Sequence, residues 1–140
     1  MLGLGCGARS YTRALHYSGE YAVGAGGVRE IIDGYLRRDE GEFAFADYGC
    51  ELDEEERRRR WMIKSLLRVE GADLRAYRRR FGTEALDDLP ELVALGEGGL
   101  IEADGDRLRP TPLGLERSDA IGPWLYSSAV RRSMDDYELR

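Results

Sequence analysis

The sequence predicts a mostly α-helical fold carrying one small β-hairpin. Two observations predict it. Helical start, stop and periodicity signals recur from residue 53 to about 121, and an Asp-Gly pair, Asp104-Gly105, separates two short strand-like runs. A third feature stands apart from this plan. The first eight residues, MLGLGCGA, are apolar and glycine-punctuated with almost no polar face, the pattern of a strand buried in a parallel sheet.

Taken in order, residues 1–8 read as that strand, and residues 9–25, with Tyr11, Tyr17 and Tyr21 among small and polar residues, as an irregular loop. A helix is expected over 27–38, because Val28, Ile31, Ile32, Tyr35 and Leu36 follow i, i+3, i+4, i+7, i+8 spacing. Residues 39–52 read as a connection. The strongest helix spans 53–69, with Asp53 as N-cap and Glu54, Glu55 and Glu56 in the first turn, where the helix dipole favours acids. Glu54–Arg58, Glu55–Arg59 and Glu56–Arg60 are acid-before-base pairs at i, i+4, each contributing ~0.2–0.5 kcal/mol. Its buried stripe is Met62, Ile63, Leu66 and Leu67, and Gly71 ends it.

A second helix over 73–81 buries Leu74, Tyr77 and Phe81 and stops at Gly82. A third begins near Pro90 and runs to Gly98-Gly99; the hairpin follows. Thr111-Pro112, an N-cap with proline at the first helical position, opens a fourth helix to about residue 121, which Gly122-Pro123 breaks. Trp124, Leu125 and Tyr126 cover the core, and residues 127–140 read as a polar tail. Three helices, a hairpin and a helix within about 70 residues is the order of a winged-helix domain.

Composition narrows the function classes. Of 140 residues, 42% are hydrophobic and 34% charged, the balance of an ordinary folded domain. No apolar run reaches the ~18–20 residues of a membrane span, and the first residues lack the basic n-region of a secretory signal, so a cytoplasmic location is expected. The net charge of −6 argues against nucleic acid, whose phosphates draw proteins with excess positive charge. The region of the third helix sharpens that argument: residues 83–97 carry Glu84, Asp87, Asp88, Glu91 and Glu97 and no Lys or Arg. A DNA-binding winged helix would present those carboxylates to phosphate.

Two cysteines, Cys6 and Cys50, and one histidine, His16, are too few and too dispersed for a four-ligand zinc site, and no C-x-x-x-C-x-x-C can be written. Cys6 reads as a small buried residue, and Cys50 as a thiol without a histidine to activate it. Gly3-x-Gly5-x-x-Ala8 fits a dinucleotide fingerprint formally, but the glycines sit within the expected strand and no helix follows to receive a pyrophosphate. Arg57–Arg60 and Arg78–Arg80 could pair with carboxylates or phosphates; the simpler reading is a solvated helix face already matched by glutamates.

Several segments resemble one family. Gly3–Tyr11 (GLGCGARSY) is similar to the glycine-rich last-strand motif in the barrel of oxygen-independent coproporphyrinogen III oxidases. Met62-Ile63-Lys64-Ser65-Leu66-Leu67, Phe81-Gly82, Gly99-Leu100-Ile101, Asp104-Gly105, Arg107-Leu108 and Thr111-Pro112-Leu113-Gly114 resemble that family's C-terminal domain. The resemblance implies a division into residues 1–38, the end of a radical SAM (β/α) barrel; 39–126, a winged-helix-like C-terminal domain; and 127–140, the tail. It implies that Gly5, Gly7, Ala8 and Arg9 lie near S-adenosylmethionine in the full enzyme, whose [4Fe–4S] cluster is held by an upstream barrel and whose substrate is a porphyrinogen. On this reading the chain is not catalytic alone, binds no cofactor by itself, and its partner is the missing barrel. The remaining alternative is a stand-alone winged-helix module for protein contacts.

Overall fold

The computed structural model describes residues 1–136, so the last four residues of the expected tail lie outside the described residues. The described residues divide into two compact units, residues 1–53 with 134–136, and residues 54–133. Instead of a mostly helical fold with one hairpin, the architecture is mixed: helices accompany two three-stranded antiparallel sheets, one in each unit.

In the first unit, β1 (Ser10–Tyr11), β2 (Leu15–Ser18) and β3 (Tyr48–Glu51) form a sheet of order β1-β2-β3, with Tyr11 opposite His16 and His16 opposite Cys50. Helix α1 (Ala25–Arg37) and a 3₁₀ turn (Glu40–Ala44) lie between β2 and β3. Asp39 caps that turn reciprocally with Glu42: its Oδ1 accepts from the Gly41 and Glu42 amides, while Glu42 Oε2 accepts from the Asp39 amide.

The strand expected over residues 1–8 does not form. Gly5 and Gly7 have φ of 98° and 74°, values that L-residues with side chains rarely adopt, and the Ala8 amide donates back to the Gly5 carbonyl, closing a turn. Only Met1 runs beside the sheet, exchanging two hydrogen bonds with Tyr11 of 2.9 and 2.7 Å. Leu2 and Leu4 are exposed, and so is Cys6, contrary to its expected burial. The segments read as loop and connection supply the strands instead. Their alternation is masked because tyrosines, glycine and polar residues occupy both faces.

The second unit is built on α2 (Glu54–Leu66), β4 (Ala72–Asp73), α3 (Leu74–Phe81), α4 (Ala85–Asp88) and α5 (Glu91–Glu97). There follow β5 (Ile101–Asp104), β6 (Arg107–Pro110), α6 (Pro112–Glu116), α7 (Ser118–Trp124) and α8 (Ser128–Asp135). The sheet order is β4-β6-β5. Asp73 caps α3 by accepting from the Ala76 amide, and Gly82 ends it in the left-handed conformation with φ 76°. The hairpin forms one residue later than expected. Asp104 pairs with Arg107, leaving Gly105-Asp106 as the two-residue turn with its positive φ on Gly105.

The fourth helix breaks at Arg117, not at Gly122-Pro123. Pro123 is accommodated inside α7 because Gly122 before it has no Cβ to meet the pyrrolidine ring. Part of the segment read as tail is helical, as α8.

Met62 and Leu66 of α2, Tyr77 of α3, Leu92 and Leu95 of α5, and Ile121 and Leu125 around α7 share one core with Ala72, Ala85, Leu89, Ile101 and Leu108. A fully buried leucine or methionine contributes about 1.5–3 kcal/mol. Trp61 packs edge-on to Tyr77 and Phe81, but Leu67, expected in the stripe, is exposed. All twelve buried apolar residues among those described fall in this second unit. The first unit has none, which places nearly all of the chain's packing energy after residue 53.

Candidate functional site

The first unit holds a cleft of ≈ 770 Å³, within the size range of small-molecule sites. The glycine turn forms one wall: Gly5, Gly7 and Ala8 all line it. The turn holds its shape through the Gly5–Ala8 hydrogen bond and through the Gly3 amide, which donates to the buried Ser10 hydroxyl at 3.0 Å. A Cβ on Gly5 or Gly7 would meet no atom within 4 Å, so that wall is open backbone.

Opposite lies α1. Its i, i+4 and i+7 positions Gly27, Ile31 and Gly34, with Tyr35, face the cleft. Tyr35 meets the Phe43 ring edge-on at 5.2 Å. Tyr17, Tyr21 and Phe45 complete an aromatic lining. Glu20, Glu30 and Glu42 supply negative charge, and Arg38 is paired with Asp47 at 2.6 Å. Such walls suit a flat ring stacked on aromatic side chains, with room for a polar chain along the glycine turn. Of the four residues expected near S-adenosylmethionine, Gly5, Gly7 and Ala8 are brought together here; Arg9 is exposed and is not among the lining residues.

An iron–sulfur cluster does not fit this chain. Cluster ligation takes three or four thiolates, and the sequence has two cysteines, one in the glycine turn and one on β3. Among the described residues, no group of three or more His, Cys, Asp or Glu side chains is placed to hold a metal ion. No described helix is long and apolar enough to cross a membrane.

The arginine clusters are largely engaged within the second unit. Glu54–Arg58 and Glu55–Arg59 form as the spacing predicts, at 2.6 and 2.8 Å, and Arg78 pairs with Glu84. Arg58 also reaches Asp88, and Arg59 reaches Glu91 at 2.9 Å. Asp88 gathers three donors: the Tyr77 hydroxyl at 2.8 Å, the Thr83 hydroxyl at 2.5 Å and Arg58 at 3.2 Å. Burial pushes its carboxyl up, but the Thr83 and Tyr77 hydrogen bonds and the Arg58 charge outweigh this and hold it below the usual aspartate value. Tyr77 is driven well above the usual phenol range by burial and by its bond to Asp88. This network fastens α2, α3 and α4 together.

The sequence reading missed one juxtaposition, His16 directly across the sheet from Cys50. They are 34 residues apart in sequence, and no local pattern couples them.

The second unit therefore belongs to a defined class: a small helical domain closed by an antiparallel hairpin, with a polar network tying α2, α3 and α4 together. Residues 52–116 match the family model of the HemN C-terminal domain. That segment is similar to the C-terminal domain of the oxygen-independent coproporphyrinogen III oxidase family. No curated protein and no solved structure matches the chain.

Proposed function

We propose that this chain works as the C-terminal part of a radical SAM protein of the coproporphyrinogen III oxidase type and is not catalytic by itself. The observation that carries the reading is the HemN C-terminal domain match at residues 52–116. In this reading residues 1–38 are the end of the barrel and residues 39–126 a winged-helix-like accessory domain, with α2, α3 and α5 as its three helices and β5–β6 as its wing. Residues 127–140 follow as a tail. The domain packs on the barrel and helps close the substrate pocket.

Two features support a missing barrel. Leu2, Leu4, Val23, Leu36 and Phe45 are each at least 65% exposed in a unit with no buried apolar residue among those described. A large exposed apolar surface is the mark of an unmet contact. In addition, the glycine turn presents open backbone to the cleft, where a Cβ on Gly5 or Gly7 would meet no atom within 4 Å, the kind of wall that admits close approach by a ligand or another backbone. Gly5, Gly7, Ala8 and Arg9 would then serve to bind and position S-adenosylmethionine. That cofactor supplies the radical when the upstream cluster is present. The acidic stretch 83–97 leaves no role for nucleic acid in this account.

The experiment is to translate the DNA upstream of the Met1 codon in all frames. An adjoining frame encoding C-x-x-x-C-x-x-C is the expected result. A stop-bounded, unrelated sequence there would favour a stand-alone module for protein contacts.

A further inference from the structure

We infer that the α1 wall of the cleft binds an alkylated onium group, a quaternary ammonium or sulfonium centre, against the rings of Tyr35 and Phe43 with Glu30 as its counter-charge. The assignment goes beyond the proposed function. The resemblance names none of these three residues, and the inference stands whether or not an upstream barrel exists.

The charges of the lining select the sign of the guest. Glu20, Glu30, Glu42 and Asp47 line the cleft against Arg37 and Arg38, four carboxylates to two guanidinium groups. Asp47 holds Arg38, and Glu42 accepts from the Asp39 amide. The Glu30 carboxylate has no ion pair or side-chain hydrogen bond among the described residues, so its charge faces the cleft uncompensated. An anion meets net repulsion there and a cation net attraction.

The rings select the kind of cation. A primary ammonium or a guanidinium carries N–H donors that call for several acceptors. An onium centre spreads its charge over methyl and methylene surface, donates nothing, and is held by aromatic faces within about 6 Å of their centroids. Tyr35 and Phe43 meet with centroids 5.2 Å apart and planes at 63°, so their faces form two adjoining sides of a box. Both rings line the cleft.

Helix α1 leaves room for the guest. Gly27, Glu30, Ile31, Gly34 and Tyr35 recur on its cleft face at helical spacing. A side chain at position 34 would lean back over the turn that carries Glu30 and Ile31. Glycine is a poor residue for a helix interior, yet here it keeps that space open beside Tyr35: a Cβ at Gly34 would meet no atom within 4 Å.

The test uses the whole 140-residue chain and two probes of one shape. These are choline and its uncharged analogue with a tert-butyl group in place of trimethylammonium. Ligand-observed NMR titrations should show saturable choline binding, with the analogue roughly tenfold weaker. Glu30→Gln should weaken choline about threefold and leave the analogue unchanged. Phe43→Leu should weaken choline roughly fivefold. Gly34→Leu fills the gap while improving helix propensity; both probes should lose binding with helical circular dichroism at least equal to the parent, which separates occlusion from unfolding. S-adenosylmethionine and S-adenosylhomocysteine, alike but for one methyl group and the sulfonium charge, distinguish the two sources. Displacement of choline by the former alone assigns a sulfonium, and displacement by neither assigns a quaternary ammonium. No saturable choline binding, equal affinity for choline and the analogue, unchanged choline affinity in Glu30→Gln, or displacement by both sulfur compounds alike would overturn the assignment.

Discussion

The guanidinium of Arg59 donates to the carbonyl oxygen of Leu125, 66 residues further along the chain, at 3.0 Å. Arg59 is only 8% exposed, and the same group also holds Glu55 and Glu91. Burial works against its charge, yet those two carboxylates more than compensate and raise its pKa above the usual guanidinium value. Ile121 and Leu125 are buried in the same core, so the folded unit extends past the matched segment 52–116 to include α7. Arg59→Met should cost ~1–3 kcal/mol in urea denaturation, because the Leu125 carbonyl and Glu91 lose a buried donor. Arg59→Lys should recover less than half, since an ammonium lacks the planar fork that meets three acceptors.

Gly114 explains why Thr111-Pro112-Leu113-Gly114 is a fixed packing motif. A Cβ at Gly114 would run into the Leu100 carbonyl oxygen, which accepts from the Thr111 amide at 3.0 Å. Thr111 Oγ1 meanwhile donates to the Gly99 carbonyl and accepts from the Gly114 amide. Gly114→Ala should lower stability by ~1–3 kcal/mol through overpacking. Gly96→Ala, with no atom within 4 Å of its Cβ position, should be neutral or slightly stabilising in the same thermal melts.

Asp88 gives the unit an acid-sensitive fastening. Its folded pKa lies below its unfolded value, so its contribution is complete above the unfolded pKa of ~3.9 and is lost as pH falls through the folded pKa. Asp88→Asn should destabilise by ~1–3 kcal/mol at pH 7, with Tyr77, Thr83 and Arg58 losing a charged acceptor. The gap from the parent chain should narrow as urea titrations are taken from pH 5 down to pH 3.

With every buried apolar residue among those described lying between Met62 and Leu125, residues 54–133 should unfold cooperatively on their own. Limited trypsin digestion of the whole chain should cut first at Arg9, Arg13, Arg29, Arg37 or Arg38, well before Arg58 or Arg59. Equal cleavage rates in the two segments would contradict this partition.

The second unit was legible in the sequence wherever local chemistry and core packing agree. Asp73 and Gly82 bound α3, the glutamates of 54–56 open α2, and Asp104-Gly105 announces the hairpin. It misled where one residue's local preference is overridden by its neighbour, as at Gly122-Pro123. The first unit was largely illegible. Leu2 and Leu4 look like core residues but belong to a turn set by the positive φ of Gly5 and Gly7, and β3 joins β2 from 30 residues away with no apolar alternation to mark either strand. Of the candidate site, the grouping of Gly5, Gly7 and Ala8 was foreseeable because they are adjacent; the aromatic lining, with Tyr35 from α1 and Phe43 from the 3₁₀ turn, arises only from tertiary packing.

The central claim, that radical chemistry depends on a barrel this chain does not itself supply, is tested most directly by anaerobic reconstitution. The purified chain is incubated with iron, sulfide, S-adenosylmethionine and a strong reductant, and 5′-deoxyadenosine is quantified. With two cysteines, it should show no cluster absorbance and no 5′-deoxyadenosine above the protein-free control. Stoichiometric cofactor cleavage by the 140-residue chain alone would contradict the account.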